Sequence, residues 1–235
     1  MIYETMRSLW SETMDFGKLV GDSFGYAKES LVGKWVNWLL LIISCIIFPL
    51  IMGYMLRVYR GADKAPELNE WGGMFIDGIK LFIVALVYCI PVFIIAFAVG
   101  LSAMVTAAMT MSAQGQTNPE GLMALIGGFL FALIILIIVW IIIEIIMATA
   151  VVRFARTNSF GEAFNFTAIF AHIGKIGFVP YLVALIVMAV IIGIIEMICM
   201  VIPFIGMLLL IIITPVILLF QARYLALLYD SAGAA

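Results

Sequence analysis

The chain has 235 residues, of which 66% are hydrophobic and only 11% charged, with a formal net charge of −2. A soluble domain is about half apolar and a quarter charged, so this composition excludes an ordinary water-exposed globule and makes lipid part of the solvent. The near-neutral balance also leaves no basic face for a nucleic-acid partner.

Residues 1–34 form a polar, amphipathic arm in which charged and apolar residues alternate. It lacks a basic start, a compact apolar stretch and a small-residue cleavage site, so no removable signal peptide is expected. Crossing a hydrocarbon layer of roughly 30 Å takes about 20 apolar residues in helical form. Five segments meet or approach that length: 35–56, 79–101, 122–152, 176–200 and 205–228. The predicted fold is therefore an all-α, polytopic transmembrane bundle. A transmembrane domain covers 35–228, with repeat-like units at 35–111 and 122–228 and a short tail at 229–235. The linker 112–120, with Gln114, Gly115, Asn118 and Pro119, reads as a loop, and 201–206 as a tight turn between antiparallel helices.

All twelve Lys and Arg lie in the arm, in the links 57–80 and 153–175, and near the C-terminal end. The linkers 112–120 and 201–206 carry none. Basic links face the cytoplasm, so the bare linkers are expected outside a prokaryotic cell membrane. The first segment is long enough to span, which exports the arm with Arg7, Lys18, Lys28 and Lys34. A break at Phe48-Pro49 followed by Gly53 would instead make it re-entrant, provided the broken backbone is buried in protein.

The spacing points to an internal repeat, while an arginine at a cytoplasmic helix end is also a generic topology signal. Arg57 and Arg60 end the first segment, and Arg153 and Arg156 end the third. Each pair is followed by a polar link, an amphipathic stretch and a single lysine, Lys80 or Lys175, that opens the next hydrophobic helix. Glu70, Gly73, Asp77 and Lys80 share one helical face, with Trp71, Phe75, Gly78 and Phe82 beside it. In the second copy Asn165, Ala168, His172 and Lys175 take the polar positions, and Phe166 and Phe170 the apolar side. Such a stretch prefers to lie in the membrane interface, and the arginines suit both lipid phosphates and the negative ends of helix dipoles. Pro49 to Arg57 and Pro215 to Arg223 share an eight-residue spacing, and a truncated third unit fits the N-terminus.

Glu144 and Glu196 are the two acids within hydrophobic segments. An intramembrane carboxylate marks either a protonatable or cation-binding site facing the bundle or a hydrogen-bonded packing residue. Ser44, Thr149 and a partner subunit are the partners expected for the packing role. Ser102, Thr106 and Thr110, with Ala103 and Ala107, place small residues four apart, which suits close helix packing more than a pore lining. His172 is the sole histidine and Cys45, Cys89 and Cys199 stand far apart in apolar runs, so neither a metal cluster nor a disulfide is expected. His172 also allows a pH-sensing role. No phosphate-cradling glycine loop and no Ser-His-acid constellation appears, so neither a cofactor nor an enzymatic activity is expected. The partners expected are the bilayer and a further protein or a second copy.

The run Gly53-Tyr54-Met55-Leu56-Arg57-Val58, then Arg60-Gly61, Pro66-Glu67-Leu68, Glu70-Trp71 and Phe75-Ile76-Asp77-Gly78-Ile79-Lys80 resembles the family known as domain of unknown function 4013. Its members are small polytopic membrane proteins of archaea and bacteria. The resemblance implies a membrane class and marks Pro66, Trp71, Asp77 and Gly78 as a signature; it implies no activity.

Overall fold

The computed structural model describes residues 15–111, 119–201 and 205–233. Arg7 and most of the linkers 112–120 and 201–206 lie outside these residues. The chain groups into two compact units, Met1–Val84 with Ala148–Ala235, and Ala85–Met147. Among the described residues eight α-helices run in chain order: α1 Phe16–Leu31, α2 Trp35–Ile46, α3 Phe48–Tyr59, α4 Trp71–Met111, α5 Pro119–Thr157, α6 Phe166–Ile176, α7 Phe178–Met200 and α8 Ile205–Asp230. No strand occurs among the described residues.

Among the described residues four helices are long and apolar enough to cross a membrane, Trp71–Ala108, Leu122–Thr157, Phe178–Met200 and Ile205–Gly233 by that measure, with mean hydropathy of 2.9, 3.3, 3.0 and 2.6. A fifth is reached if α1 and α2, bent 103° apart, count as one broken span. The fold is an all-α, polytopic transmembrane helical bundle.

In the first unit α8 is the hub on which α1, α2, α3 and α7 all pack. Its Ile217, Phe220, Tyr224, Leu225 and Leu228 are buried, and Tyr224 Oη donates to the Ala184 carbonyl of α7 at 2.8 Å. Pro215 removes the amide that would bond the Ile211 carbonyl, and one residue on, the Ile212 carbonyl accepts the Trp38 indole N–H of α2 at 2.8 Å. Helix α1 starts at Asp15, whose side chain caps the Lys18 amide. Its buried face holds Leu19, Ser23, Tyr26, Ala27, Ser30 and Leu31. Both serines bond carbonyls one turn back in their own helix, so burying them leaves no polar atom stranded.

The first hydrophobic segment is not one helix. It divides at Ile47, with Pro49 in the opening turn of α3. Proline has no amide to bond the preceding turn and fits a helix start. Two helices of 12 residues result, each about 18 Å long, so neither half alone matches a span.

The second difference concerns the stretch before Lys80. It does not end as a separate interfacial helix: α4 runs unbroken for 41 residues from Trp71. In the second copy the expected break exists, between α6 and α7 at Gly177, whose φ of 92° lies in the left-handed region. Counting from the matched lysines, Phe82 stands where the second copy has Gly177. A phenylalanine resists that backbone and continues the helix; glycine accepts it and turns the chain.

The second unit holds the C-terminal part of α4 and the N-terminal part of α5. A cleft of about 300 Å³ separates Ser102, Ala103 and Thr106 from Ala124, Gly128 and Ala132. Ser102 Oγ donates to the Val99 carbonyl at 2.8 Å and Thr106 Oγ1 to the Ser102 carbonyl at 2.9 Å. These hydroxyls are engaged by their own helix, as in packing faces.

Candidate functional site at the arginine joints

Five arginines gather the polar chemistry of the first unit, and each meets a carboxylate: Arg57 with Glu70, Arg60 with Asp77, Arg153 with Glu162, Arg156 with Asp230 and Arg223 with Asp63. The sequence suggested arginines reaching toward lipid phosphates; the structure engages all five with protein acceptors.

In the first joint Arg57 acts as a clamp on the link. Its Nη1 donates to the carbonyls of Glu67 and Asn69 at 3.2 and 2.9 Å and to Asn69 Oδ1 at 3.0 Å. Its Nη2 reaches the Glu70 carbonyl at 3.4 Å. Tyr54 Oη adds a bond to the Pro66 carbonyl at 3.0 Å. The stretch from Pro66 to Glu70 is thus held against α3, where α4 begins at the partly exposed Trp71. Arg60 bonds Asp77 at 2.7 Å, and Lys80, one turn on, stands 3.5 Å from the other carboxylate oxygen. Gly78 sits where α4 meets α3, with no room for a side chain beside the Pro49 carbonyl.

The second joint repeats the first move. Arg153 Nε donates to Glu162 Oε2 at 2.7 Å, Asn165 Nδ2 donates to the same carboxylate, and Asn165 Oδ1 caps α6 at the Ala168 amide. The Arg153 bond, then the Asn165 bond, hold the Glu162 carboxyl below its usual pKa. In both copies the first arginine of the pair fastens the residues that open the next helix. The second arginine differs, because the position of Asp77 is His172 in the second copy. Arg156 turns to Asp230 at the end of α8, with bonds of 2.8 and 2.6 Å. Its guanidinium also packs against Gly61, where a larger residue would displace it.

His172 stacks on Tyr229, with ring centroids 3.7 Å apart, while its Nε2 lies 2.9 Å from the Tyr229 carbonyl. Burial pushes its pKa below the usual 6.5; the carbonyl bond acts the other way, Arg153 and Lys175 reinforce the drop, and Asp230 opposes it. A depressed histidine pKa means the unfolded chain binds the proton more readily. The stability from a neutral His172 is therefore present above about pH 6.5 and lost as pH falls through the folded value. Thermal unfolding of the purified protein should drop in midpoint between about pH 7.5 and about pH 5.5, and His172→Phe should shrink that drop. An unchanged drop in the variant would remove His172 as its source. Lys175 is exposed beside it.

Arg223 and its surroundings escaped the sequence reading, save for its spacing from Pro215. It lies over the Tyr26 ring at 5.0 Å and donates to the Ala62 carbonyl at 3.0 Å. Tyr26 Oη and Arg223 Nε are buried without hydrogen-bond partners among the described residues, and the ring face compensates part of that deficit. Asp63 and Glu162 were findable as acids close behind an arginine pair. Asp230 was not, being 74 residues from Arg156.

The intramembrane acids part company. Glu196 is exposed near the far end of α7 and does not face the interior of its unit. Glu144 is half-buried on α5. The hydroxyls expected to pair with it donate elsewhere, Ser44 to the Leu40 carbonyl and Thr149 to Tyr181 Oη. Among the described residues no group of three or more His, Cys, Asp or Glu could hold a metal ion.

A fold of membrane-crossing apolar helices tied at one set of polar joints defines an integral membrane protein of the helical-bundle class. Residues 38–204 match the family described as Protein of unknown function (DUF4013), and the chain belongs to it. No curated protein and no solved structure matches the chain.

Proposed function

We propose that this protein is a non-enzymatic module of a prokaryotic cell membrane, a scaffold, accessory subunit or assembly factor. It would engage lipid headgroups or a protein partner, with the basic links 57–80 and 153–175 cytoplasmic and the bare linkers outside. The carrying observation is how the polar groups are spent. All five described arginines tie the chain to itself, while α4 and α5 leave large apolar side chains such as Phe93, Phe97, Phe129 and Trp140 exposed. Arginines committed to structural joints suit a protein that works by contact, and the open apolar side chains of α4 and α5 form the surface that lipid or a partner's span would cover.

A small transporter or channel is the second reading, supported by Glu144 and Glu196 as intramembrane acids. Purified protein in liposomes separates the two. The module reading expects no proton- or cation-driven flux above that of empty vesicles, in either the native chain or Glu144→Gln. Flux in the native chain that disappears in Glu144→Gln would overturn it.

A further inference from the structure

We propose that Glu144 is the contact point for a membrane-spanning helix of a different protein, one that carries a basic residue near the middle of its span. The inference rests on the module reading and names the chemistry of its partner. Glu144 lies nine residues before Arg153 on one helix, about 13 Å along the axis. Arg153 belongs to the polar joints, so Glu144 falls roughly midway through a hydrocarbon layer of about 30 Å. Glu196, 18 residues beyond Phe178 on a 23-residue helix, falls near the opposite boundary, where water can reach it.

Within its own unit Glu144 has no hydrogen bond or ion pair among the described residues. Glu144 is itself half-buried, and its helical neighbours one and two turns back, Ile137, Trp140 and Ile141, are exposed, so the carboxyl borders an open apolar face. Lipid tails offer a carboxyl no partner, and a stranded polar group at that depth is costly. Charge complementarity selects what would relieve it. A cation in a neighbouring span carries the same burden, and pairing relieves both at once, more strongly in low dielectric than in water.

The hydrophobic stretches of a second copy offer no such cation. The stretches 35–56, 81–152 and 176–222 contain no Lys, Arg or His. The arginines at the joints are held by their own carboxylates, and Lys18, Lys28, Lys34, Lys64, Lys80 and Lys175 all lie outside those stretches. The hydrophobic stretches of this sequence thus hold no complementary charge, which points to another protein as its source.

The test uses the full chain, donor-labelled, in phosphatidylcholine vesicles with acceptor-labelled synthetic Leu/Ala helices of about 20 residues. One helix carries a central Arg; the other has Leu there. Energy transfer to the Arg helix should exceed that to the Leu helix several-fold. Glu144→Gln, which keeps size and helicity, should abolish the preference, and Glu196→Gln should retain it. In Glu144→Lys the preference should pass to a helix with a central Glu. Equal transfer to both helices, or a preference that survives Glu144→Gln, would sink the proposal. So would Glu144-dependent transfer between two copies of the chain, which would make the occupant a second copy. Because flux is measured separately, loss of the helix preference without flux rejects this contact and leaves the module reading standing.

Discussion

Gly78→Val should lower the melting temperature of the detergent-purified protein more than any other single substitution considered. Helices α3 and α4 cross with their backbones in contact. A β-carbon on Gly53 would collide with the Met74 carbonyl, and one on Gly78 with the Pro49 carbonyl and the Gly53 amide. Those obstacles are backbone, which cannot rotate aside as a long side chain can. Overpacking a fitted core costs roughly 1–3 kcal/mol, and a branched side chain against main chain belongs at or above the upper end. The built-in control is Gly73→Ala, on the same helix with nothing within 4 Å. It should be neutral or raise stability by about 0.5–1 kcal/mol, the usual gain of alanine over glycine in a helix. If both variants melted alike, the crossing would not be the constraint.

Arg57→Ala should destabilise by about 2–3 kcal/mol and open the 61–70 link to proteolysis. The guanidinium is mostly buried and donates to three link carbonyls and the Asn69 side chain. Hydrogen bonds from a charged donor contribute roughly 1.5–3 kcal/mol, with poor additivity when they share one group. The ion pair itself contributes little, because Glu70 is 82% exposed at 3.6 Å and such pairs give about 0–1 kcal/mol. Glu70→Ala should therefore be nearly silent. Arg57→Lys should recover only a small part of the loss, since one ammonium cannot reproduce the planar fork that reaches four acceptors. Full recovery by lysine would mean that charge, not the fork, holds the link.

Much of this architecture was legible in the residues because a membrane imposes a simple constraint. Backbone groups in hydrocarbon must be bonded within their own helix, so long apolar runs such as 122–152 and 176–200, each carrying a single acid, announce themselves. The Arg-pair joints and the matched lysines were also visible, since each pair is three residues apart and the lysine follows at nearly the same distance in both. Less legible was where helices break. Phe48-Pro49 signalled a break that length alone argued against. Phe82 and Gly177 hold equivalent places with opposite outcomes, which local sequence shows only once the copies are aligned.

The sequence by itself determined the solvent, the helical class and the two joints, which follow from composition and local spacing, and the family, which its motif residues carry. Only the tertiary structure decided what the joints do. Arg156 with Asp230, Arg223 with Asp63 and His172 with Tyr229 join residues far apart in the chain. An arginine at a helix end satisfies lipid phosphate and protein carboxylate equally well by pattern; folding brings the carboxylates within reach. The same holds for Glu144, whose sequence context fixes its depth while the packed helices decide which neighbours it lacks.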